Sequence, residues 1–335
     1  MVGSNFPFST LFDILKSMKK VLLSGIQPTG RPHIGNYFGA MKQWVDLQTS
    51  QPDTEKFFMI ADYHALNFIQ NNEELKQNIL DVVLDYLAIG LDPKQSAIFK
   101  QSDVSAHTEL AWIFDTITTM PYLMRAHAFK DAEVKNKEIG VGTFNYPMLM
   151  SADILLYDTT VVPVGQDQKQ HIEYARDTAE KFNRIFGETF VLPEALIMKE
   201  VAVVPGTDGQ KMSKSYGNTI PLFATDEEIR KAVMSIVTDS SGSIPKNVYE
   251  IHKLFRSTTE LDVLYKEKSG KYKDLKDALI ADISAFIKPL RERREEFAKN
   301  KDAVLAILKA GGEKAKAKAQ AKIEVVREKI GVRLY

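Results

Sequence analysis

The sequence predicts an α/β protein in which a Rossmann-like parallel sheet is followed by an α-helical C-terminal domain. Up to about Pro205, short apolar runs alternate with longer segments that carry apolar residues at helical spacing. This alternation is typical of βαβ units, in which helices cover both faces of a parallel sheet. From Thr225 to Tyr335 the chain is highly charged, favours helix and has few β-branched runs. The last third is therefore predicted to be helical.

Five apolar runs are predicted to form the strands of the sheet. They are Val21–Ile26, Phe57–Ala61, Ser96–Lys100, Thr160–Val164 and Glu200–Val204. The apolar residues that recur at helical spacing after the first strand are Ile34, Phe38, Met41 and Val45. A second helix is predicted from Leu75 to Leu87, where Gly90 and Pro93 follow as stop signals.

Three parts of the chain are distinguished by their composition. Residues 1–17 are interpreted as an N-terminal extension ahead of the first strand. Residues 18–220 are predicted to form the Rossmann-like domain and residues 221–335 the helical region, with the last helix free to pack back on the sheet. The segment Thr225–Glu228 has the pattern of a capping box and should open the first helix of that region.

The bulk composition excludes several classes of protein. A length of 335 residues suggests two domains, and 44 basic residues balance 44 acidic ones, so composition alone indicates no charged partner. The chain has no cysteine, which excludes disulfides and cysteine-ligated metals. The six histidines show no metal-ligand spacing, so no structural metal is expected. No apolar run is long enough to span a membrane and no signal-peptide pattern is present, so the expected compartment is the cytoplasm.

The segment Ser24–Tyr37 has the features of a turn from a strand into a helix that binds an anion. Glycines and prolines lead out of the first strand, and a helix should start near Ile34 or Gly35. Free N–H groups and the helix dipole favour phosphate at such a start, and His33 adds a donor there. The segment contains neither GxGxxG nor GxxxxGK[ST]. Taken alone, it fits equally well a tight turn whose glycines and prolines only shape the backbone.

The segment Lys211–Ser215 carries two lysines three positions apart. Gly206, Gly209 and Gly217 flank it, which predicts a mobile loop. Two ammonium groups can stabilise the charge that develops on a transferring phosphate or a departing pyrophosphate. A generic KxxK pattern is more often a solvated basic loop, but the complete pentapeptide favours the phosphate interpretation here.

These two segments resemble the signatures of class I aminoacyl-tRNA synthetases. His33–Asn36 is similar to the HIGH signature and Lys211–Ser215 is the KMSKS signature. Two further blocks, Tyr146–Tyr157 and Val162–His171, resemble those of the bacterial tryptophanyl-tRNA synthetases. The resemblance extends from about Lys20 to Asp239 and more weakly beyond. It identifies the chain as a member of this family.

The resemblance implies a ligase that activates L-tryptophan with ATP and Mg²⁺ and transfers it to the terminal ribose of tRNA(Trp). It also implies a homodimer and an anticodon-binding role for residues 221–335. The residues expected to stabilise phosphate charge are His33, Asn36, Lys211 and Lys214. The full set expected to bind ATP is Gln27, Thr29, Gly35, Asn36, Lys130, Gly165, Asp167, Lys211, Met212, Ser213, Lys214 and Ser215.

The tryptophan site implied by the resemblance centres on Asp153, which would accept a hydrogen bond from the indole N–H. The full set is Gln27, His64, Tyr146, Met150, Asp153, Val162, Val164 and Gln168. Without the resemblance, a carboxylate on this apolar helix would be interpreted as a cap or a local salt bridge. For His64, a hydrogen-bonded interior histidine is about equally favoured.

Two alternative functions remain open from the sequence. A tyrosyl-tRNA synthetase shares the fold and both signatures, and a phenol would also donate to Asp153. A paralogue that binds nucleotide or RNA without aminoacylating is disfavoured because His33 and both signature lysines are present. Basic residues are candidates for tRNA contacts, although a solvated helix face is the commoner role for each: Arg291, Arg293, Arg294, Lys314 and Lys318.

Overall fold

The computed structural model describes residues 20–126, 129–130, 133, 139–165, 168–196, 204–238 and 244–335. Its centre is a parallel sheet of five strands, which are β1 (Val21–Ile26), β2 (Glu55–Ile60), β3 (Ala97–Lys100), β4 (Val161–Pro163) and β5 (Glu194–Leu196). Their order in the sheet is β3-β2-β1-β4-β5. Because the chain reverses its direction of winding between β1 and β4, the crevice at their carboxyl ends is where such sheets bind ligands. The predicted Rossmann-like sheet is confirmed.

The fifth strand lies at a different place from the prediction. Glu194–Leu196 pairs in parallel with β4, with Val161 opposite Glu194. The predicted strand Glu200–Val204 lies outside the described residues except for Val204, which is not in a strand. A strand of three residues is too short to give a periodic pattern, which is why the sequence did not reveal it.

Helices cover both faces of the sheet. The first, α1 (Ile34–Asn36), continues through a π-helical turn (Tyr37–Met41) into α2 (Lys42–Ser50). The others are α3 (Asp62–Ala65), α4 (Asn72–Ile89), α5 (Ala106–Ile117), α6 (Met120–Leu123), α7 (Val141–Leu155), α8 (Lys169–Phe186), α9 (Asp226–Met234), α10 (Lys246–His252), α11 (Thr258–Glu267), α12 (Tyr272–Ala298) and α13 (Lys301–Lys329).

Local sequence signals set the ends of several helices. The Asn71 side chain accepts a hydrogen bond from the Glu74 amide at the start of α4, and Gly90 ends that helix with a φ of 107°. The capping box predicted at Thr225 and Glu228 is present at the start of α9. These ends depend on neighbouring residues alone, so they can be predicted from the sequence.

The C-terminal helices pack directly on the sheet and its covering helices. At Gly311, α13 comes so close to β3 that an added Cβ would overlap the Ile98 carbonyl group. On α12, the Arg294 guanidinium donates hydrogen bonds to Asp85 and Asp81 of α4. The last helix therefore does pack back on the sheet, whereas the division of the chain at residue 220 stays a prediction.

The basic residues considered for tRNA contacts bind other parts of this chain. Arg291 donates to the Ala224 carbonyl, Arg293 to the Ala88 carbonyl, and Lys318 to Glu55. Lys314 Nζ lies 3.9 Å from Glu55 Oε1, and Arg294 contacts Asp81 and Asp85 as described above. In this fold these side chains attach the C-terminal helices to the rest of the protein.

No helix in the part of the chain that the structure describes is both long and apolar enough to cross a membrane. The described residues also contain no cluster of three histidine or acidic side chains that could hold a metal ion.

Candidate active site

The turn after β1 leads the chain to the carboxyl edge of the sheet. Gly25 lies against the Met59 carbonyl of β2 so closely that a side chain would not fit. Gly30 has a φ of 91°, a conformation that favours glycine. Beyond it, His33 is the N-terminal cap of α1 and the helix begins at Ile34. The turn therefore directs the start of α1 over the edge where β1 ends.

His33 and Asn36 cap each other at this helix start. His33 Nδ1 accepts a hydrogen bond from the Asn36 amide at 3.2 Å, and Asn36 Oδ1 accepts one from the His33 amide at 3.0 Å. This arrangement is a capping box in which a histidine replaces the usual hydroxyl residue. With Nδ1 used as an acceptor, the proton of the neutral ring is on Nε2.

The His33 ring is neutral at physiological pH. Its pKa is lowered from 6.5 to about 4, chiefly by burial and to a lesser degree by the positive charges of Lys214 and Lys211. A neutral ring with Nε2–H is a hydrogen-bond donor but not a cation. The influence of both lysines on His33 also shows that the two signature segments lie close together.

The backbone after the lysine loop runs antiparallel to the first turn. The Ile34 amide donates to the Ile220 carbonyl at 3.0 Å, and the Leu222 amide donates to the Pro32 carbonyl at 2.9 Å. His33 and Pro221 form the bridge between them. The structure thus brings together two segments that are distant in the chain.

Lys214 lies directly on the first turn, although Gly30 and Lys214 are 184 positions apart in the sequence. Its Nζ donates to the Gly30 carbonyl at 2.8 Å and to the Thr29 carbonyl at 3.1 Å. Loss of water around the ammonium group lowers the pKa of Lys214. The lysine therefore bridges the two segments at the edge of the sheet, where a phosphate chain could replace the two carbonyl groups as its partner.

Gly35 lies at a close approach between the two segments. A Cβ on Gly35 would lie 2.8 Å from His33 Nδ1 and 3.3 Å from Met212 Cβ. Met212 is buried, and its amide donates to the Val204 carbonyl at 2.9 Å. Glycine at position 35 is therefore explained by close packing of the lysine loop on the helix start.

Asp153 is a buried carboxylate on α7 with polar partners from three other elements. Its Oδ2 accepts from His64 Nε2 of α3 at 2.9 Å, and its Oδ1 accepts from Gln101 Nε2 at 2.7 Å. The Nδ1 atom of His107 on α5 lies 2.7 Å from the same Oδ1. The side chain is only 2% exposed. A buried carboxylate charge is costly without hydrogen-bonding partners, so Asp153 requires the polar groups around it.

These partners keep Asp153 ionised. Burial raises its pKa, but the proximity of His107 and the hydrogen bonds from His107 and His64 outweigh that effect and hold the pKa at about 2. A carboxylate has about four lone-pair positions, and the hydrogen bonds from His64 and Gln101 use one on each oxygen, with His107 Nδ1 also close to Oδ1. One position on Oδ2 remains for a further donor.

Other residues that the sequence predicts to bind tryptophan lie around this carboxylate and at the end of β4. The Tyr146 ring packs edge-on against His64 with centroids 6.3 Å apart, and the Tyr146 hydroxyl lies 3.3 Å from His171 Nε2. Val162 belongs to the apolar cluster on this side of the sheet, against which two partly buried residues pack, Met150 and Val164. The structure therefore places these apolar side chains on the face that also carries Asp153.

The other residues that the sequence predicts to bind ATP or tryptophan are not among the partners described above for Asp153 and Lys214. Gln27 is exposed at the end of β1, and its carbonyl accepts from the Thr29 amide. Gln168 caps α8, and its amide donates to the Gly165 carbonyl at 3.0 Å. Lys130 is exposed. Asp167 lies outside the described residues.

Ser213 and Ser215 belong to the lysine loop itself, where their hydroxyl groups lie 2.9 Å apart. The short 3₁₀ turn Lys214–Tyr216 ends at Gly217, which has a φ of 65°. The loop is therefore shaped by a tight turn and hydrogen bonds, and the mobility that its flanking glycines predict stays a prediction.

Sequence reasoning missed three buried polar residues of the site. Gln101 and His107 hold Asp153, and Asn218 binds the lysine loop. Gln101 directly follows β3, and a polar residue at the carboxyl end of a parallel strand is a recognisable signal of a site. No comparable local signal marks His107, which lies in an apolar helix.

Comparison with known proteins shows the family to which the chain belongs. The family model described as tRNA synthetases class I (W and Y) matches residues 16–284. A tryptophan–tRNA ligase of Fusobacterium nucleatum is 49% identical over 92% of this chain and 97% of its own length. One of Rhodopirellula baltica is 46% identical over 93% of this chain and 99% of its own length.

Solved structures show the same relationship. The tryptophanyl-tRNA synthetase of Campylobacter jejuni complexed with ADP and tryptophan has a TM-score of 0.85 at 44% identity, and covers 93% of this chain and 99% of its own. A tyrosyl-tRNA synthetase of Archaeoglobus fulgidus has a TM-score of 0.65 at 21% identity, which shows a shared fold alone. The chain therefore belongs to the class I tRNA synthetases of the tryptophan and tyrosine group, and its close relatives there are tryptophan–tRNA ligases.

Proposed function

We propose that this protein activates L-tryptophan with ATP, releases pyrophosphate, and transfers the tryptophanyl group to the terminal ribose of tRNA(Trp). The observation that carries the proposal is the meeting of the two signature segments, in which Lys214 reaches the turn that His33 completes. The family and the near-complete coverage of the tryptophan–tRNA ligases support the same activity. The cytoplasm is the proposed compartment.

The phosphate end of the proposed site consists of His33, Asn36, Lys211 and Lys214. His33 is neutral, so its Nε2–H would donate to a phosphate oxygen, while the two ammonium groups would carry the positive charge. Asn36 holds the His33 ring in the tautomer that this requires. These groups stabilise charge and need not accept or release a proton.

The nucleotide would lie between the first turn and the lysine loop. Gly35 packs against His33 and Met212 with no room for a side chain, and we assign to its backbone a contact with the nucleotide. We assign ATP contacts to the other residues of the predicted set: Gln27, Thr29, Lys130, Gly165, Asp167, Ser213 and Ser215. Mg²⁺ would enter as the counter-ion of ATP and leave with pyrophosphate, so it is part of the substrate.

The amino-acid end of the proposed site is organised by Asp153. The free lone pair of its Oδ2 would accept the single hydrogen bond that the indole N–H can donate. His64 and Tyr146 lie beside this carboxylate, and Gln27 and Gln168 would meet the amino and carboxylate groups of the substrate. We assign the apolar walls to Met150, Val162 and Val164.

The first step requires no protein nucleophile. The ionised carboxylate of tryptophan attacks the α-phosphorus of ATP in line, the bond to the bridging oxygen breaks, and pyrophosphate leaves with the electron pair. The ribose hydroxyl of tRNA then attacks the activated carbonyl and AMP departs. Catalysis in both steps rests on positioning and on stabilisation of developing negative charge.

A homodimer is the proposed assembly. Large apolar side chains are exposed to water beside a cavity of about 360 Å³ that Leu66, Trp112 and Tyr146 help to line. Phe68 is 70% exposed and Trp112 is 71% exposed. Exposed apolar surface of this kind marks an interaction site. Its position next to Tyr146 would place the dimer contact close to the amino-acid site.

The two alternatives predict different substrates. A tyrosyl-tRNA synthetase would activate tyrosine, but the similarity to that enzyme is far below the similarity to the tryptophan–tRNA ligases. A non-catalytic paralogue would bind nucleotide or RNA and activate no amino acid. The contact of Lys214 with the first turn favours an active enzyme.

ATP–pyrophosphate exchange with each of the twenty amino acids in turn tests the proposal. Exchange that depends on tryptophan alone is the expected result. Exchange with tyrosine would retain the mechanism and change the substrate. No exchange with any amino acid would overturn the activation step and favour the non-catalytic paralogue.

A further inference from the structure

Asn218 binds three points of the lysine loop with one side chain. Its Nδ2 donates to Asp208 Oδ1 at 2.7 Å and to the Lys211 carbonyl at 3.1 Å. Its Oδ1 accepts from the Ser213 amide at 2.8 Å. The residue is only 2% exposed although it lies at the end of a surface loop.

The backbone around Asn218 is packed just as closely. The Thr207 amide donates to the Asn218 carbonyl at 3.0 Å. Gly206 faces the amide group, and an added Cβ there would overlap the Asn218 side chain. The two arms of the loop, residues 206–208 and 211–213, are thus both attached to this one residue.

These contacts determine where both signature lysines are placed. The Asn218 amide binds the peptide groups on either side of Met212, which fixes the backbone of Lys211 and the start of the 3₁₀ turn that carries Lys214. Lys214 in turn reaches the Gly30 carbonyl. A side-chain amide can use both donors and its acceptor at once, which no smaller polar residue can do.

We propose that Asn218 is a positioning residue for the phosphate chemistry, because it holds Lys211 and Lys214 against the first turn without touching a substrate. The inference rests on the proposed ligase function. Misplacement of a stabilising charge by about 1 Å costs a rate factor on the order of 100. The loss should fall on adenylate formation and leave tryptophan binding unchanged.

Asn218→Asp is the decisive variant. It keeps the size of the side chain but turns an oxygen toward Asp208 and the Lys211 carbonyl, where donors are required. The expected result is a fall in kcat for ATP–pyrophosphate exchange of about 100-fold. Tryptophan affinity, measured by equilibrium dialysis, should stay within about twofold because the loop does not reach Asp153.

Adding Asp208→Asn to this variant tests the contact itself. The amide and the carboxylate then exchange places, so a donor again faces an acceptor. We expect recovery of about tenfold in kcat relative to Asn218→Asp alone. Asp208→Ala removes one anchor at an exposed position and covers the case in which Asn218→Asp does not fold, with an expected loss of several-fold in kcat.

Asn183→Asp is the matched control. Asn183 binds another loop through a similar set of contacts, donating to the Phe190 carbonyl and accepting from the Thr189 and Phe190 amides. Its substitution should lower the melting temperature without lowering exchange. The same loss of exchange in this control would show a general effect of stability and overturn the inference.

Full exchange activity in Asn218→Asp and Asp208→Ala would overturn the inference and leave the ligase function intact. An equal loss of tryptophan affinity would also overturn it, because a positioning role for the lysines does not predict that loss. Absence of tryptophan-dependent exchange in the unchanged protein would instead overturn the proposed function itself.

Discussion

His33 and Asn36 hold each other in a reciprocal cap at the start of the first helix. The Asn36 amide donates to His33 Nδ1 at 3.2 Å, and the His33 amide donates to Asn36 Oδ1 at 3.0 Å. This pair sets the tautomer of the ring and directs Nε2–H away from the helix. The histidine of the first signature is therefore a fixed neutral donor.

The pKa of His33 should make the protein less stable in mild acid. The folded state holds the ring neutral to about pH 4, whereas the unfolded chain binds the proton near pH 6.5. The stabilisation is complete above pH 6.5 and is lost as the pH falls from 6.5 to 4, because the unfolded state then binds more protons. Across this pH range the His33 ring should change the free energy of unfolding by on the order of 2 kcal/mol, and His33→Asn should remove that change. Urea unfolding of both proteins between about pH 4.5 and 7.5 measures the difference, and parallel curves would contradict the prediction.

Lys214→Met should affect adenylate formation far more than tryptophan binding. Removing one group that stabilises transition-state charge costs a factor of about 100 to 1000 in kcat. Exchange kinetics give kcat, and equilibrium dialysis gives the affinity for tryptophan. Lys231→Met, at an exposed position on α9, is the control and should retain full exchange. Equal losses in kcat and tryptophan affinity would show that Lys214 has another role.

Asp153→Asn should reduce discrimination for the indole N–H. The variant replaces an acceptor with a group that can turn a donor toward the substrate, so kcat/KM for tryptophan should fall by about 100-fold or more. An analogue with sulfur in place of the indole nitrogen cannot donate, so its kcat/KM should change much less. Exchange assays with both substrates give the ratio. If the ratio of kcat/KM for tryptophan to kcat/KM for the analogue is the same in the variant and the unchanged protein, Asp153 does not accept the indole hydrogen bond.

Asp85 should give the opposite pH dependence of stability from His33. Burial raises the pKa of Asp85 to about 7, although the charge of Arg294 acts to lower it. The unfolded carboxyl ionises near pH 3.8, so the stabilisation is complete below that pH and is lost as the pH rises to 7. The free energy of unfolding of Asp85→Asn should therefore increase relative to that of the unchanged protein as the pH rises from about 4 to about 7. A constant difference across this range would show that Asp85 is ionised throughout.

Trp112→Glu should disrupt the proposed dimer. A charge at the centre of an apolar contact is costly to bury, so the equilibrium should move toward the single chain of 37.8 kDa. Light scattering during size-exclusion chromatography measures the mass. Val263→Glu places the same charge at an exposed apolar position on α11 and should leave the mass unchanged. A single-chain mass for the unchanged protein would overturn the dimer.

Local patterns were sufficient for much of the fold and for the proposal of a phosphate site. The apolar runs identified four of the five strands, and Thr225 with Glu228 identified a helix start, because each depends on residues within one turn or strand. The signature segments likewise led to the residues proposed to bind phosphate, which stay a prediction. The strand Glu194–Leu196 was missed because three residues carry no period.

The meeting of distant side chains follows from tertiary packing and could not be predicted from local patterns. Asp153 and His64 are 89 positions apart, and the sequence does not show that one holds the other. Nor does it show that Asn218 binds both arms of the lysine loop, or that Gly311 must be small to let the last helix reach β3. Most of the strands, the helix caps and the two signatures could be predicted from the sequence, since these follow from neighbouring residues. The partners of buried polar groups are determined by packing, because burial in the folded chain makes an unpaired polar group too costly.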